Sequence, residues 1–169
     1  MTLVLLTGGA RSGKSRLAVE LASRDREPVT FLATGEAGDD EMAERIARHR
    51  AERPAEWRTV EEPLRLRGAV TAAGGSLIVD CLSLWVANAL AAELDVESEA
   101  AAAAAAAAAR PGLTVAVTNE VGMGVVPPTR LGREYRDLLG RVNAIWAEAA
   151  DEAYLVVAGR GLRLERLGG

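Results

Sequence analysis

The chain has 169 residues, 49% hydrophobic, 26% charged and only 4% aromatic, with a formal net charge of -4. That length and balance fit one domain with a real core. An acidic chain with so few aromatic side chains excludes a broad basic nucleic-acid face and a base-stacking platform, so no nucleic acid is expected as a partner.

Short apolar runs alternate with helical patterns along the chain. Thr2–Thr7 and Val29–Ala33 read as strands, Trp57–Val60 as a weaker one, and Leu77–Asp80, Leu113–Thr118 and Tyr154–Ala158 complete the series. Runs this short and this apolar fit strands buried on both faces of a parallel sheet. Lys14–Ser23 reads as a helix with Leu17, Ala18, Leu21 and Ala22 on one side. Asp40–Arg53 opens with acids and stops before Pro54, as a helix should. Leu64–Ala73 is a weaker helical pattern. Leu84–Ala109 is helix-rich and ends in the alanine run Ala100–Ala109, which has high helix propensity and little to pack with. We expect that run to be a surface helix or spacer. Arg130–Ala150 is long and periodic, through Leu131, Tyr135, Leu138, Val142, Ile145 and Ala149. The alternation of strand and helix, with no linker long enough to split it, predicts one doubly wound α/β domain.

Cys81 is the single cysteine, which allows no intrachain disulfide and fits a reducing compartment. The start, MTLVLLTGG, has no basic leader, and its apolar run is too short for a signal peptide or a membrane span. A cytoplasmic location without a membrane span is expected. The positive charge is almost all arginine: Lys14 is the only lysine and His49 the only histidine. A chain that otherwise uses arginine has placed a compact ammonium at one position.

That lysine lies in Gly8-Gly9-Ala10-Arg11-Ser12-Gly13-Lys14-Ser15, a full match to G-x-x-x-x-G-K-[ST] between a strand and a helix. In such a P-loop the glycines let backbone N–H groups curl around phosphate oxygens, and the helix N-terminus adds positive potential. Lys14 reaches the β- and γ-phosphates, and the Ser15 hydroxyl ligates Mg²⁺. A magnesium carboxylate belongs at the end of a neighbouring buried strand, and Leu77-Ile78-Val79-Asp80 offers Asp80. The structural alternative for Asp80 is to cap the helix that follows.

His49 lies about two turns from Met42 and one turn from Ile46, so a packed histidine at the edge of an apolar stripe is one reading. Its neighbours point elsewhere. Arg45, Arg48, Arg50 and Arg53 surround it, and that much positive charge keeps an imidazole neutral and nucleophilic. The same arginines either hold a triphosphate, which suits attack on phosphorus by a histidine nitrogen, or form a solvated face paired with Glu41, Glu44 and Glu52. After the strand Leu113–Thr118 come Asn119 and Glu120, then Gly122, Gly124, Pro127 and Pro128. Glu120 is either a second carboxylate for Mg²⁺ or a proton acceptor for a hydroxyl. Arg130 and Arg133, one turn apart, either face an anionic substrate or form an ordinary charged face.

The stretches TGGARSGKS, DDEMAERIARHRAERPAEWRTVE, VDCLSLWVAN, TNEVGMGVVP, YRDLLGRVN and ADEAYLVVAG resemble, in order, the bifunctional adenosylcobinamide kinase / adenosylcobinamide-phosphate guanylyltransferase family of cobalamin biosynthesis. The resemblance implies a P-loop NTPase fold of the RecA-like kind and two reactions. ATP or GTP phosphorylates adenosylcobinamide. GMP then passes from GTP, through a covalent intermediate on His49, to adenosylcobinamide phosphate, and pyrophosphate leaves. It also implies nucleotide-binding positions at Gly8, Gly9, Ala10, Arg11, Ser12, Gly13, Lys14 and Ser15, at Ala33, Thr34 and Gly35, at Arg50, Ala51, Glu52 and Arg53, and at Glu61 and Asp80. It implies a homotrimer. The alanine run departs from the family pattern, so no functional residue is expected there. Thr118-Asn119-Glu120-Val121 lacks the usual N-K-x-D guanine signature, so GTP enters by resemblance alone. Two other readings compete: a plain P-loop small-molecule kinase with a structural His49, and a nucleotide switch whose moving part is the 122–128 loop.

Overall fold

The computed structural model describes residues 1–25, 27–35 and 54–166. His49, Arg50, Ala51, Glu52 and Arg53, with the rest of the predicted helix Asp40–Arg53, lie outside the described residues. Seven strands form one sheet: β1 (Thr2–Thr7), β2 (Val29–Ala33), β3 (Arg58–Glu61), β4 (Ser76–Asp80), β5 (Leu113–Val117), β6 (Glu152–Val157) and β7 (Arg160–Leu164). Their spatial order is β3-β2-β4-β5-β1-β6-β7. All adjacent pairs are parallel except β6 and β7, which form an antiparallel hairpin.

Five helices are described: α1 (Lys14–Ser23), α2 (Leu66–Ala72), α3 (Leu82–Ala91), α4 (Val96–Ala108) and α5 (Arg130–Ala149). Successive strand residues point to opposite faces, so β1 divides its leucines and valine between two cores. Leu3 and Leu5 join a core with α2, α3, α4 and α5. Val4 and Leu6 join a second core, where Ala18 and Ala22 of α1 pack on Phe31, Ile78, Val115 and Val156. This two-sided burial is why the strands read as unbroken apolar runs rather than alternating ones.

The helix-rich stretch Leu84–Ala109 is two helices, α3 and α4. The chain turns between them at Glu93, which has φ 56°, and Asp95 starts α4 by accepting the Ser98 N–H at 3.2 Å. The alanine run is a surface helix, one of the two readings expected, but the expectation that it has little to pack with is corrected. Ala100, Ala103, Ala104 and Ala107, spaced as one helical face, are at most 2% exposed, and α4 packs against α5 and α2. Alanine lets the helix backbones approach closely, so one face of a low-complexity run is core. The strand β7 was not foreseen, because five exposed residues with two arginines and one glycine carry no buried-strand signal.

Candidate functional site

The carboxyl ends of all six parallel strands lie on one edge of the sheet, where ligands of open α/β folds bind. The P-loop leaves β1 at this edge and runs into α1, whose N-cap position is Gly13. Two of its glycines are forced by their surroundings. Gly8 has φ 151°, and a Cβ there would lie 2.3 Å from the Val156 carbonyl oxygen. Gly13 has φ 99°, and a Cβ there would lie 3.1 Å from Gly159 Cα. The turn between β6 and β7 therefore presses on the loop, and it is also bonded to it: Gly159 N–H donates to Ser12 O at 2.7 Å. The unforeseen hairpin is a buttress of the phosphate loop.

Lys14 is 6% exposed. Its ammonium donates to Gly8 O at 2.9 Å and Gly9 O at 2.7 Å, and lies 3.4 Å from Ser12 Oγ. These partners come from within six residues, so the loop is closed around its own lysine. Ser15 stands in the first turn of α1 beside it, and Ala10 and Arg11 form the exposed tip.

Asp80 ends β4, opposite Val117 on one side and Ala33 on the other. The expectation of a carboxylate on the strand next to the P-loop is corrected in one respect. β5 lies between β4 and β1, so Asp80 is two strand spacings, about 10 Å, from the strand that carries the loop. The position before α3 is Cys81, so Asp80 is not the capping residue of that helix. Thr34 is fully buried and its polar groups are engaged: N–H to Asp80 O at 3.2 Å, hydroxyl to Cys81 O at 2.6 Å, and carbonyl accepting from Asn88 Nδ2 at 2.8 Å. It ties the ends of β2 and β4 together. Ala33 and Gly35 flank it, and Glu61, exposed, ends β3 opposite Ala33.

Burial first, and then the charge of Asp80, push the Cys81 thiol up, so it stays protonated at neutral pH. Tyr135 of α5 donates to Ser83 O at 3.0 Å, and burial, with Cys81 beside it, raises it to about 12. Both groups are packing, not acid-base chemistry, near neutral pH.

The turn after β5 closes the site on the P-loop side. Glu120 N–H donates to Gly8 O at 3.0 Å, and its carboxylate accepts the Gly122 N–H at 2.6 Å. Arg133 donates to the carbonyls of Pro127 and Pro128, at 3.0 and 2.9 Å, which fastens the exit of the loop. Arg130, also exposed, starts α5 one turn earlier. The structure thus gathers residues 8–15, 33–35, Glu61, Asp80 and Glu120 along one edge. Sequence reasoning missed Asn88 and Asn143, whose signal was an amide set in a helix among apolar neighbours.

A model of the family described as cobinamide kinase / cobinamide phosphate guanyltransferase matches residues 4–164. The chain belongs to this family. It is 45% identical over 168 residues to the bifunctional adenosylcobalamin biosynthesis protein CobP of Pseudomonas aeruginosa, covering 95% of this chain and 96% of that one. It is 41% identical over 181 residues to the protein of the same description, CobU, from Salmonella typhimurium, covering 96% and 99%. Among solved structures, the flagellar accessory protein FlaH of Methanocaldococcus jannaschii aligns with a TM-score of 0.52 at 15% identity, over 95% of this chain and 74% of its own. An ATPase of a type III secretion system aligns with a TM-score of 0.57 at 15% identity, over 91% and 50%. These distant likenesses show the P-loop fold.

Proposed function

We propose that this chain is a bifunctional enzyme that phosphorylates adenosylcobinamide and then transfers GMP from GTP to the phosphate it has made. The observation that carries the reading is the buttressed P-loop at the carboxyl edge of the sheet, in a chain that belongs to this family. In the first reaction the acceptor hydroxyl attacks the γ-phosphorus of ATP or GTP, the bond to the β-phosphate oxygen breaks, and the nucleoside diphosphate leaves. Glu120 takes the hydroxyl proton. In the second, a His49 nitrogen attacks the α-phosphorus of GTP and pyrophosphate leaves. An oxygen of adenosylcobinamide phosphate then displaces the histidine. In both reactions Lys14 and the N–H groups of residues 8–15 hold the polyphosphate. Ala33, Thr34 and Gly35, with Glu61 and with Arg50, Ala51, Glu52 and Arg53, form the rest of the nucleotide site. Arg130 is available to an anionic acceptor, whereas Arg133 is engaged with the loop.

Ser15 and Asp80 suit a magnesium ion. Both are hard oxygen donors, and among the described residues no three His, Cys, Asp or Glu side chains gather. That suits an ion whose remaining ligands are phosphate oxygens and water. When bound, it neutralises developing phosphate charge. No described helix is long and apolar enough to cross a membrane. We infer one domain per chain, a homotrimer, and action in the cytoplasm.

The test uses GTP labelled at the α-phosphate. An acid-labile label should appear on the protein, and His49→Ala should abolish it while much of the cobinamide phosphorylation remains. A label that survives His49→Ala sinks the nucleophile assignment. Absence of pyrophosphate release with GTP and adenosylcobinamide phosphate points instead to a plain kinase.

A further inference from the structure

β5 lies between the P-loop strand and the strand of Asp80, and its last residue, Val117, pairs with Leu6 on one side and Asp80 on the other. The residues after Val117 therefore enter the gap between the P-loop and the candidate metal carboxylate. A chain leaving a strand has lost its ladder partners and must be held by something else. Here the holder is Asn143, in the middle of α5. Thr118, fully buried, continues the ladder by donating its N–H to Leu6 O at 2.9 Å, and its hydroxyl donates to Asn143 Oδ1 at 2.6 Å. Asn143 Nδ2 donates to Asn119 O at 3.0 Å. The next residue, Glu120, gives its N–H to Gly8 O, the same carbonyl that accepts from the Lys14 ammonium.

One side-chain amide thus fixes two successive residues of the turn that carries Glu120. On α5 Asn143 follows Val142 and lies near Leu139 and Trp146, all three in the core. Asn143 itself is half-buried, and both ends of its amide are bonded to the turn after β5.

We propose that Asn143 and Thr118 are positioning residues for phosphoryl transfer: they hold the turn Thr118–Glu120 against the P-loop, so that Glu120 meets the acceptor hydroxyl at the γ-phosphate. This rests on the bifunctional reading above. Guanylyl transfer to His49 does not depend on the pair, because its reacting phosphorus is the α-phosphorus and its nucleophile comes from another segment. The two activities therefore serve as controls for each other.

The experiment compares the full chain with Thr118→Val, Thr118→Ser and Asn143→Ala. The readouts are nucleotide Kd, kcat and KM for adenosylcobinamide phosphorylation, and the α-phosphate label. Thr118→Val and Asn143→Ala should lower the phosphorylation kcat by about ten- to a hundredfold. Nucleotide Kd should stay within about twofold, and labelling should stay at the wild-type level. Thr118→Ser, which keeps the donor, should restore most of kcat. An unchanged kcat in Thr118→Val overturns the proposal, as does a parallel loss of kcat and label. Should Asn143→Ala fail to fold, the two Thr118 variants decide by themselves. A wild-type chain that phosphorylates no cobinamide overturns the functional reading, and that control is read independently of any variant.

Discussion

Two cations are buried at opposite edges of the sheet, Lys14 and Arg110, and each is 6% exposed. Arg110 sits at the amino edge. Its guanidinium donates to Thr114 Oγ1 at 3.1 Å, to Val70 O at 3.0 Å, to Ala73 O and to Gly75 O at 2.6 Å. It therefore binds the end of α2, the turn before β4 and the start of β5 into one corner. Lys14, at the carboxyl edge, bonds to carbonyls of its own loop. A planar fork filled by carbonyls from distant segments is a cross-link. A compact ammonium on a flexible stem, bonded to the carbonyls of a local glycine loop, is the cation suited to exchange those carbonyls for phosphate oxygens. Equal burial thus accompanies different settings, and what separates them is the shape of the cation and the segments that supply its carbonyl acceptors.

The comparison breaks most readily at Lys14. Lys14→Ala should lower both activities by about a hundred- to a thousandfold, with little change in the melting temperature. Lys14→Arg should not rescue, because the slot fits an ammonium. Retained turnover in Lys14→Ala would remove the lysine from the site. Arg110→Ala should do the reverse. It leaves buried carbonyls without a donor and should cost roughly 3–5 kcal/mol in urea unfolding, with nucleotide Kd unchanged in the folded protein. Weaker nucleotide binding at unaltered stability would erase the contrast between the two cations.

The next effect is smaller and tests the alanine helix that Arg110 follows. Ala103→Leu should cost about 1–3 kcal/mol by overpacking, whereas Ala101→Leu, on the exposed face, should change stability by less than about 0.5 kcal/mol. Equal effects would mean that the helix face is not core. The smallest effect concerns Glu62, beside the candidate nucleotide residue Glu61. Burial pushes its carboxyl up, but bonds from the N–H groups of Arg65 and Leu64, at 2.9 and 3.1 Å, outweigh this and hold it below its usual value. Its folded pKa is lowered, so its contribution is full above the unfolded value and is lost as pH falls through the folded one. Glu62→Gln should cost about 0.5–1 kcal/mol at pH 7 in denaturant unfolding, and the difference should fade in acid. A difference independent of pH would place the effect in packing instead.

Much of the candidate site was legible in the sequence because its chemistry is local. Gly8 to Ser15 are consecutive, and the strand before them and helix after them have their own periodic signals. Asp80 was legible as an acid closing an apolar run. Its distance from the P-loop was not, since only pairing places β5 between the two strands. Asn143 and Thr118 are 25 residues apart, and neither belongs to a local motif. The hairpin turn at Gly159 is far from Ser12 in the sequence, so its bond to the loop left no trace in local pattern.

By itself the sequence determined the six parallel strands and the phosphate loop, because hydrophobic period and glycine spacing act between neighbours along the chain. The tertiary structure alone decided strand order, the burial of the alanine face, and which buried cation is a cross-link. Those depend on contacts between segments far apart in sequence. A side chain's meaning there is set by the partner that folding brings to it.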